Sequence, residues 1–207
     1  MTPPDAWTQT PTMQTPTIQG QFVRLEALST AHAPDIARHA DAATVAWLSR
    51  GGPAHNTPEE WAAHIGRLNA LPNRANFAVL LGDQVAGRIS YSEVRPSDLW
   101  LEIGTMLTPP FFGTAANPGA KLLLLTRAFE VLGAGRAHFK VDERNERSLR
   151  AMTKLGAVRE GTLRHYQVRP DGFARNSVMF SVLRGEWPEV RARLIQQLNA
   201  VTDRAVN

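Results

Sequence analysis

Hydrophobic positions along this chain follow two different periods. In some stretches they alternate or form short apolar runs, which is typical of strands, and in others they recur every three or four residues, which is typical of amphipathic helices. The resulting order is strand, two helices, three strands, helix, strand, helix and two strands, with an amphipathic helix at the end. This order predicts an α/β (α+β) fold in which a mostly antiparallel central sheet is flanked by helices.

Capping and turn residues mark several of the predicted boundaries. Thr57, followed by Glu60 at the third helical position, forms a capping-box pattern and predicts a helix start. Gly156 follows an apolar helical stripe and predicts a helix end. Residues 170–172 (Pro-Asp-Gly) form a turn signal between two strands, so they predict a hairpin.

The 207 residues, 43% of them hydrophobic, suit one domain or a domain with an arm. Residues 1–19 are rich in Thr, Pro and Gln and predict a flexible N-terminal arm. Residues 20–207 are then a single domain that ends in the amphipathic helix from Trp187 to Val201. Its apolar stripe could cover the domain's own core or pair with a second copy, so a homodimer is one expectation.

Charge and composition narrow the expected partners and location. The formal net charge of +4 suits an anionic cofactor, and the absence of a long Lys or Arg run argues against nucleic acid as the main partner. The chain has no cysteine and no run of 18 apolar residues, and its start lacks the pattern of a signal peptide. We therefore expect a cytoplasmic protein without a membrane span, and no metal cofactor.

A loop of small residues before a predicted helix is the first candidate site. Gly113, Thr114 and Ala115 precede Asn117, a favourable N-cap, and Pro118, a favourable first helical residue, so the helix is predicted to begin at Pro118. The free amides and the dipole of such a helix start favour an anion, typically a phosphate. The alternative is a tight turn without a ligand.

Lys121 bears on the choice between these alternatives, because the helix dipole disfavours a cation in the first turns. A bound polyphosphate would remove this conflict, whereas in the alternative Lys121 points to solvent. The strand before the loop ends at Met106, Leu107 and Thr108, whose free backbone groups could pair with an amide-bearing ligand. A polyphosphate at a helix start and an amide arm along a strand together describe coenzyme A.

Four segments together resemble the GNAT-type N-acetyltransferases, in particular the branch of ribosomal-protein N-terminal acetyltransferase-like enzymes. The segments are the EIG of residues 102–104, the FGTAANPGAK of 112–121, the DERNERS of 142–148 and the KLGAVREG of 154–161. The resemblance covers residues 20–194. Pro110 stands where the family has Gln or Arg, Phe112 where the branch often has Trp, and Ala115 where it often has Gly.

The resemblance implies an acetyl-CoA-dependent N-acetyltransferase that moves acetyl directly to a primary amine, on a protein N-terminus or a small molecule. Acetyl-CoA would be the cosubstrate, with Asn145 at the pantetheine arm and Ser148 near the sulfur. Asn145 is also a plausible cap of the helix that follows it. The expected cofactor-binding residues are Met106, Leu107, Thr108, Phe112, Gly113, Thr114, Ala115, Asn117, Lys121, Asn145 and Ser148.

Acetyl transfer to an amine requires a neutral amine, a stabilised carbonyl oxygen and a protonated leaving thiolate. Glu102, on the strand beside the acyl site, is the candidate to accept the amine proton or to hold the ammonium group. A backbone amide at Met106 or Leu107 could stabilise the oxygen, and Ser148 or Tyr166 could protonate the thiolate. The alternative function is a non-catalytic acyl-CoA-binding or regulatory module.

Overall fold

The structure, a computed structural model, describes residues 15–206, with side chains for residues 15–201. Its strands form one eight-stranded sheet. They are β1 (Ile18–Gln19), β2 (Arg24–Ala27), β3 (Ala75–Leu81), β4 (Gln84–Arg95), β5 (Trp100–Leu107), β6 (Arg136–Asp142), β7 (Val158–Val168) and β8 (Ala174–Leu183).

Six α-helices connect and flank the strands. They are α1 (Ala33–His39), α2 (Ala42–Val45), α3 (Pro58–Asn69), α4 (Ala116–Thr126), α5 (Glu146–Leu155) and α6 (Trp187–Val206). A π-helical turn, Arg127–Val131, extends α4. The predicted element order is therefore confirmed, with the addition of the short strand β1 and the short helix α2.

The strand order across the sheet is β1-β2-β3-β4-β5-β6-β8-β7. Every neighbouring pair is antiparallel except β5 and β6, so the mostly antiparallel sheet is confirmed. Residues 1–14 of the predicted arm lie outside the described residues. Its end is part of the sheet, because Ile18 pairs with Leu25 of β2.

The parallel pair β5–β6 produces an opening in the middle of the sheet. The two strands pair only from Trp100↔Arg136 to Glu102↔His138, although β5 continues to Leu107. Strands that separate leave backbone groups without a ladder partner on the facing edges. The wedge between β5 and β6 is therefore a place where a ligand can meet a strand edge.

Hydrophobic cores lie on both faces of the sheet. One includes residues of α4 and α6, and the other residues of α1 and α3. The apolar stripe of α6 is buried in the first core through Trp187, Val190 and Leu194. This stripe covers the domain's own core, so it is not a surface for a second copy.

One predicted helix start differs from the structure, and the capping of another differs in part. Helix α4 begins at Ala116 rather than Pro118. Its N-cap is Ala115, and the Thr114 hydroxyl oxygen accepts from the Ala116 amide at 3.2 Å. The prediction that Asn117 is the N-cap was therefore wrong. At α3, the Thr57 hydroxyl oxygen accepts from the Glu60 amide as predicted, but the Glu60 carboxylate accepts from the amides of Ala54 and His55.

Candidate active site

A cleft of about 1110 Å³ opens at the wedge between β5 and β6. One half, which we call the cofactor half because it contains most of the residues predicted to bind the cofactor, is lined by the loop before α4 and by the starts of α4 and α5. The other half, which we call the acceptor half, is lined by the segment after α2, by α3 and the turn that follows it, and by the middle of β4. Of the residues predicted from sequence, the cleft is lined by Glu102, Met106, Leu107, Phe112, Gly113, Thr114, Asn117, Lys121, Asn145, Ser148 and Tyr166.

Gly113 places its backbone at the open side of this cleft. Its φ is +76°, a conformation that favours glycine, and a Cβ added there would meet no atom within 4 Å. Ala115, by contrast, is buried at the helix start and does not line the cleft. The accessible part of the small-residue loop is therefore the segment from Phe112 to Thr114.

Lys121 is buried rather than directed to solvent, with 4% of its surface exposed. Its ammonium group donates to the Asn117 Oδ1 at 2.6 Å. Burial lowers the pKa of Lys121 from 10.5 to about 8. The first turns of α4 thus hold a buried cation at the positive end of the helix dipole, an arrangement that a bound anion would stabilise.

The backbone of β5 is less free than the sequence suggested. The amide and the hydroxyl of Thr108 both donate to the Ala86 oxygen, at 2.9 and 3.2 Å, and Thr108 is fully buried. The prediction that Thr108 offers free backbone groups to a ligand was therefore wrong. Because hydrogen-bonded and non-hydrogen-bonded pairs alternate in an antiparallel ladder, Met106 also faces β4, and Leu107 faces the wedge.

Asn145 and Ser148 form the start of α5 on the other side of the cofactor half. Asn145 is the N-cap, since its Oδ1 accepts from the Ser148 amide at 3.1 Å. The side-chain amide nitrogen of Asn145 donates to none of the described residues and is available to a ligand. Both residues line the cleft.

Arg147, which sequence reasoning missed, connects the two sides of the cofactor half. Its guanidinium carbon lies 3.6 Å from the centre of the Phe112 ring, a close cation–π contact. This contact joins the loop before α4 to the start of α5. Arg147 therefore adds a positive charge beside the segment that the sequence indicated as a phosphate site.

Glu102 lies at the apex of the wedge in a buried ion pair. The Lys140 ammonium donates to its Oε2 at 2.6 Å, and the His138 Nε2 is 3.7 Å from the same oxygen. Burial would raise the pKa of Glu102, but His138, Lys140 and Ser92 together lower it from 4.5 to about 2. Glu102 is thus a permanent anion near neutral pH and a weak base.

Lys140 organises the acceptor half beside Glu102. Its ammonium also donates to the Glu93 carboxylate and to the Tyr166 hydroxyl, both at 3.3 Å. We call Glu93, Glu102, Lys140 and Tyr166 the Lys140 cluster. Ligand atoms of Glu93, Glu102 and His138 lie within 4.8 Å of one another, but the Lys140 ammonium already bridges the two carboxylates.

The sequence did not single out Lys140 or the arginines that line the acceptor half. The sequence feature that could have identified Lys140 is its position in the strand: it lies on the same face as His138 and on the opposite face from Phe139. Arg74 and Arg88 are also buried and line the cleft near α3. Nothing in the local pattern of either arginine indicates burial.

The sequence model of the acetyltransferase (GNAT) domain matches residues 23–158. The chain therefore belongs to the GNAT acetyltransferase family, as its motifs indicated. Comparison with curated proteins gave no match.

Solved structures agree with this assignment. An acetyltransferase crystal structure from T. thermophilus is 51% identical, with a TM-score of 0.84 over 88% of this chain and 96% of that one. A GCN5-related N-acetyltransferase from Brucella melitensis is 27% identical, with a TM-score of 0.81 over 89% of this chain and 86% of that one.

A more distant structure shares the fold alone. RimJ from Mycobacterium smegmatis, solved in complex with CoA-disulfide, is 19% identical, with a TM-score of 0.70 over 84% of this chain and 88% of that one. Within residues 15–206, no helix is both long enough and apolar enough to cross a membrane.

Proposed function

We propose that this acetyltransferase moves acetyl from acetyl-CoA directly to a primary amine, without an acyl-enzyme. The observation that carries the proposal is the position of the free β5 edge at Leu107. It lies between a loop suited to phosphate and a charged cluster suited to an amine. An amide arm that enters the wedge along this edge would place its far end toward Glu102.

Acetyl-CoA is expected in the half of the cleft formed by the loop before α4 and the start of α5. The backbone of Gly113 and Thr114, with Lys121 and Arg147, supplies amides and positive charge for the phosphates. The Leu107 amide and carbonyl suit the amide groups of the pantetheine arm. The Asn145 amide nitrogen suits its carbonyl oxygens.

The amine acceptor is expected in the half that contains the Lys140 cluster. The amine nitrogen attacks the thioester carbon, so a C–N bond forms, the C–S bond breaks, and the nitrogen loses a proton. Because the Glu102 pKa is about 2, this carboxylate suits an electrostatic role, in which it holds Lys140 and attracts the incoming ammonium. The proton then leaves to water or to the departing thiolate.

Ser148 and Tyr166 are the two candidates to protonate the thiolate. The Tyr166 hydroxyl oxygen accepts from Lys140, so its own proton remains available to donate. Ser148 lies in the first turn of α5, next to the cap residue Asn145. A proton donor matched to the leaving group contributes about 10²–10⁴ in rate.

A panel of primary amines with acetyl-CoA, scored by release of free coenzyme A, tests the proposal. We expect turnover with at least one amine class and thermal stabilisation by coenzyme A alone. Stabilisation by coenzyme A without turnover on any amine would instead support the binding-module alternative. Absence of both would contradict coenzyme A binding itself.

A further inference from the structure

Arg88 is a buried cation at the bottom of the acceptor half of the cleft. It lies on β4 directly opposite Met106 of β5, so its side chain is on the sheet face that packs against α3. Only 7% of its surface is exposed, yet it lines the cleft. Its Nε has no hydrogen-bond partner, and the guanidinium donates to none of the described residues.

Arg74 lies beside Arg88, and both of its hydrogen-bond partners are neutral. Its Nε donates to the Asn76 Oδ1 at 2.6 Å and its Nη2 donates to the Ser90 hydroxyl at 2.9 Å. Within the described residues, neither Arg74 nor Arg88 forms an ion pair with a carboxylate. Two adjacent guanidinium groups are therefore buried without a contact ion pair. Glu102 stabilises the charge of Arg74 only from beyond ion-pair distance, and its carboxylate is already paired with Lys140.

His64 of α3 lines the same end of the cleft and does not supply a counter-ion. Its Nε2 is buried without a hydrogen-bond partner. Burial and the neighbouring arginines, first Arg88, lower the pKa of His64 from 6.5 to about 4. His64 is thus a neutral ring near pH 7, and its position adds a further polar atom that a ligand can satisfy.

An unpaired buried cation is costly, and arginine does not escape the cost by deprotonation in the pH range of proteins. The arrangement is stable when an anion joins it. The planar guanidinium group of arginine binds a carboxylate through two parallel hydrogen bonds. Here a second arginine lies beside the first and can bind the same carboxylate. The cleft reaches this pair, so the anion can be part of the acceptor.

We infer that the acceptor amine carries a carboxylate, which Arg88 and Arg74 bind at the bottom of the cleft. The inference rests on the proposed N-acetyltransferase function and names its substrate class. Arg88 pairs with Met106, which is four residues along β5 from Glu102. At ~3.3 Å per residue, these two positions of β5 are about 13 Å apart. The side chains of Arg88 and Glu102 reduce this span, so the acceptor is compact.

Two sources of such a carboxylate fit the cleft. One is the α-carboxylate of a free amino acid, and the other is the side-chain carboxylate of an acidic residue close to a peptide N-terminus. Matched substrates separate them: free amino acids against their amino acid amides, and C-terminally amidated peptides with Glu against Gln at the second position. Each pair keeps a primary amine and replaces the carboxylate with a neutral amide.

We expect the charged member of one pair to have a kcat/KM at least about tenfold higher than the neutral member, because the neutral one leaves a buried guanidinium unpaired. In Arg88→Met this preference should disappear, and in Arg88→Lys it should be partly retained. Arg67→Met, which removes an exposed arginine from α3 outside the cleft, is the control and should keep the preference.

The same variants are also informative without ligand. If Arg88 is an unpaired buried charge, Arg88→Met should not lower the melting temperature, since an apolar side chain replaces it. A large loss of melting temperature would show that Arg88 is satisfied within the fold and would overturn the inference. Affinity for coenzyme A should be the same in both proteins.

Failure of the inference and failure of the proposed function give different results. Equal turnover of charged and neutral members would overturn the carboxylate site and leave N-acetyl transfer standing. If no amine is acetylated, calorimetry with N-acetyl amino acids and with N-acetylated Glu-containing peptides still tests the site, because binding needs no turnover. Binding that Arg88→Met weakens tenfold would support the site, and no binding to the wild type would contradict it.

Discussion

The Lys140 ammonium donates at 2.6 Å to the carboxylate of Glu102, which is in the last paired position of β5 and β6. This ion pair stands where the sheet divides. On one side of it the Leu107 edge is open, and on the other side the Lys140 cluster faces the acceptor half. The register between β5 and β6 therefore both positions Glu102 next to Lys140 and leaves the wedge open.

Glu102→Gln should lower the free energy of unfolding at pH 7 by on the order of 3 kcal/mol, because it leaves the buried Lys140 without its nearest counter-charge. A carboxyl pKa lowered from 4.5 to about 2 stabilises the fold above pH 4.5, and this stabilisation is lost as pH falls toward 2. The difference between wild type and variant should thus shrink below pH 4.5. Urea unfolding at a series of pH values measures it.

The same variant separates two roles for Glu102 in turnover. As a permanent anion, Glu102 should affect kcat/KM by a constant factor from about pH 5 to 9. Rescue of Glu102→Gln at high pH, where the amine is already neutral, would instead identify Glu102 as the base. Unchanged activity at neutral pH would exclude both roles.

Lys121→Met should stabilise the protein without ligand and weaken coenzyme A binding. The Lys121 pKa is lowered by burial, so the charged amine destabilises the fold fully below about pH 8, and this cost disappears as pH rises toward 10.5. Melting temperatures at pH 7 with and without coenzyme A measure both effects. Arg191→Met, an exposed change on α6 outside the cleft, is the control.

Asn145 is the N-cap of α5, and different substitutions can separate this role from the proposed role in coenzyme A binding. Asn145→Ala removes the cap and should lower the free energy of unfolding by about 1 kcal/mol. The same substitution should also weaken coenzyme A binding. Asn145→Ser keeps a capping oxygen, so it should cost little stability but still lose affinity. Denaturant unfolding and calorimetry with coenzyme A measure the two quantities. Equal affinity in all three proteins would leave Asn145 with the cap alone.

Gly113→Val should abolish coenzyme A binding while the protein remains folded. The substitution places a branched side chain at φ +76° in a space that contains no protein atom, at the open side of the cleft. Gly172→Val is a close control, because Gly172 has φ +81°, equally open surroundings and a place in the β7–β8 turn. Both variants should lose similar stability, and only Gly113→Val should lose binding in calorimetry.

Tyr166→Phe and Ser148→Ala should identify the group that protonates the thiolate. The responsible variant should lower kcat by about 10²–10⁴ with little change in coenzyme A affinity, and the other should be close to wild type. Steady-state kinetics with the best acceptor measures both. If neither variant slows turnover, the thiolate leaves without a protein acid.

The sequence predicted the fold well because its signals are local. In β6, His138 and Lys140 lie two residues apart on one face of the strand, and both approach Glu102. Their pairing with Glu102 could not be predicted, because it depends on the parallel register of two strands far apart in sequence. The start of α4 was misplaced because its N-cap is Ala115, which has no capping side chain, whereas Asn117 lies inside the helix.

Other parts of the site depend on tertiary contacts that no local pattern carries. Thr108 was expected at a free edge, but which edge of β5 is free follows from its register with β4. Arg88 occupies a strand position that a solvated arginine could occupy equally well. Its burial without a counter-ion becomes visible only when α3 and the following turn close over the sheet.

The position of β8 has a consequence for how the protein is made. Residues 174–183 lie between β6 and β7 in the sheet, and α6 completes the core on one face. During synthesis, β6 therefore cannot pair with β8 until β7 and then β8 have been made. A nascent chain that has emerged only through α5 contains most of the cofactor-side residues but lacks the strand that holds β6 in register. If coenzyme A binds as proposed, we expect it to stabilise the fold only once β8 has been made and paired with β6.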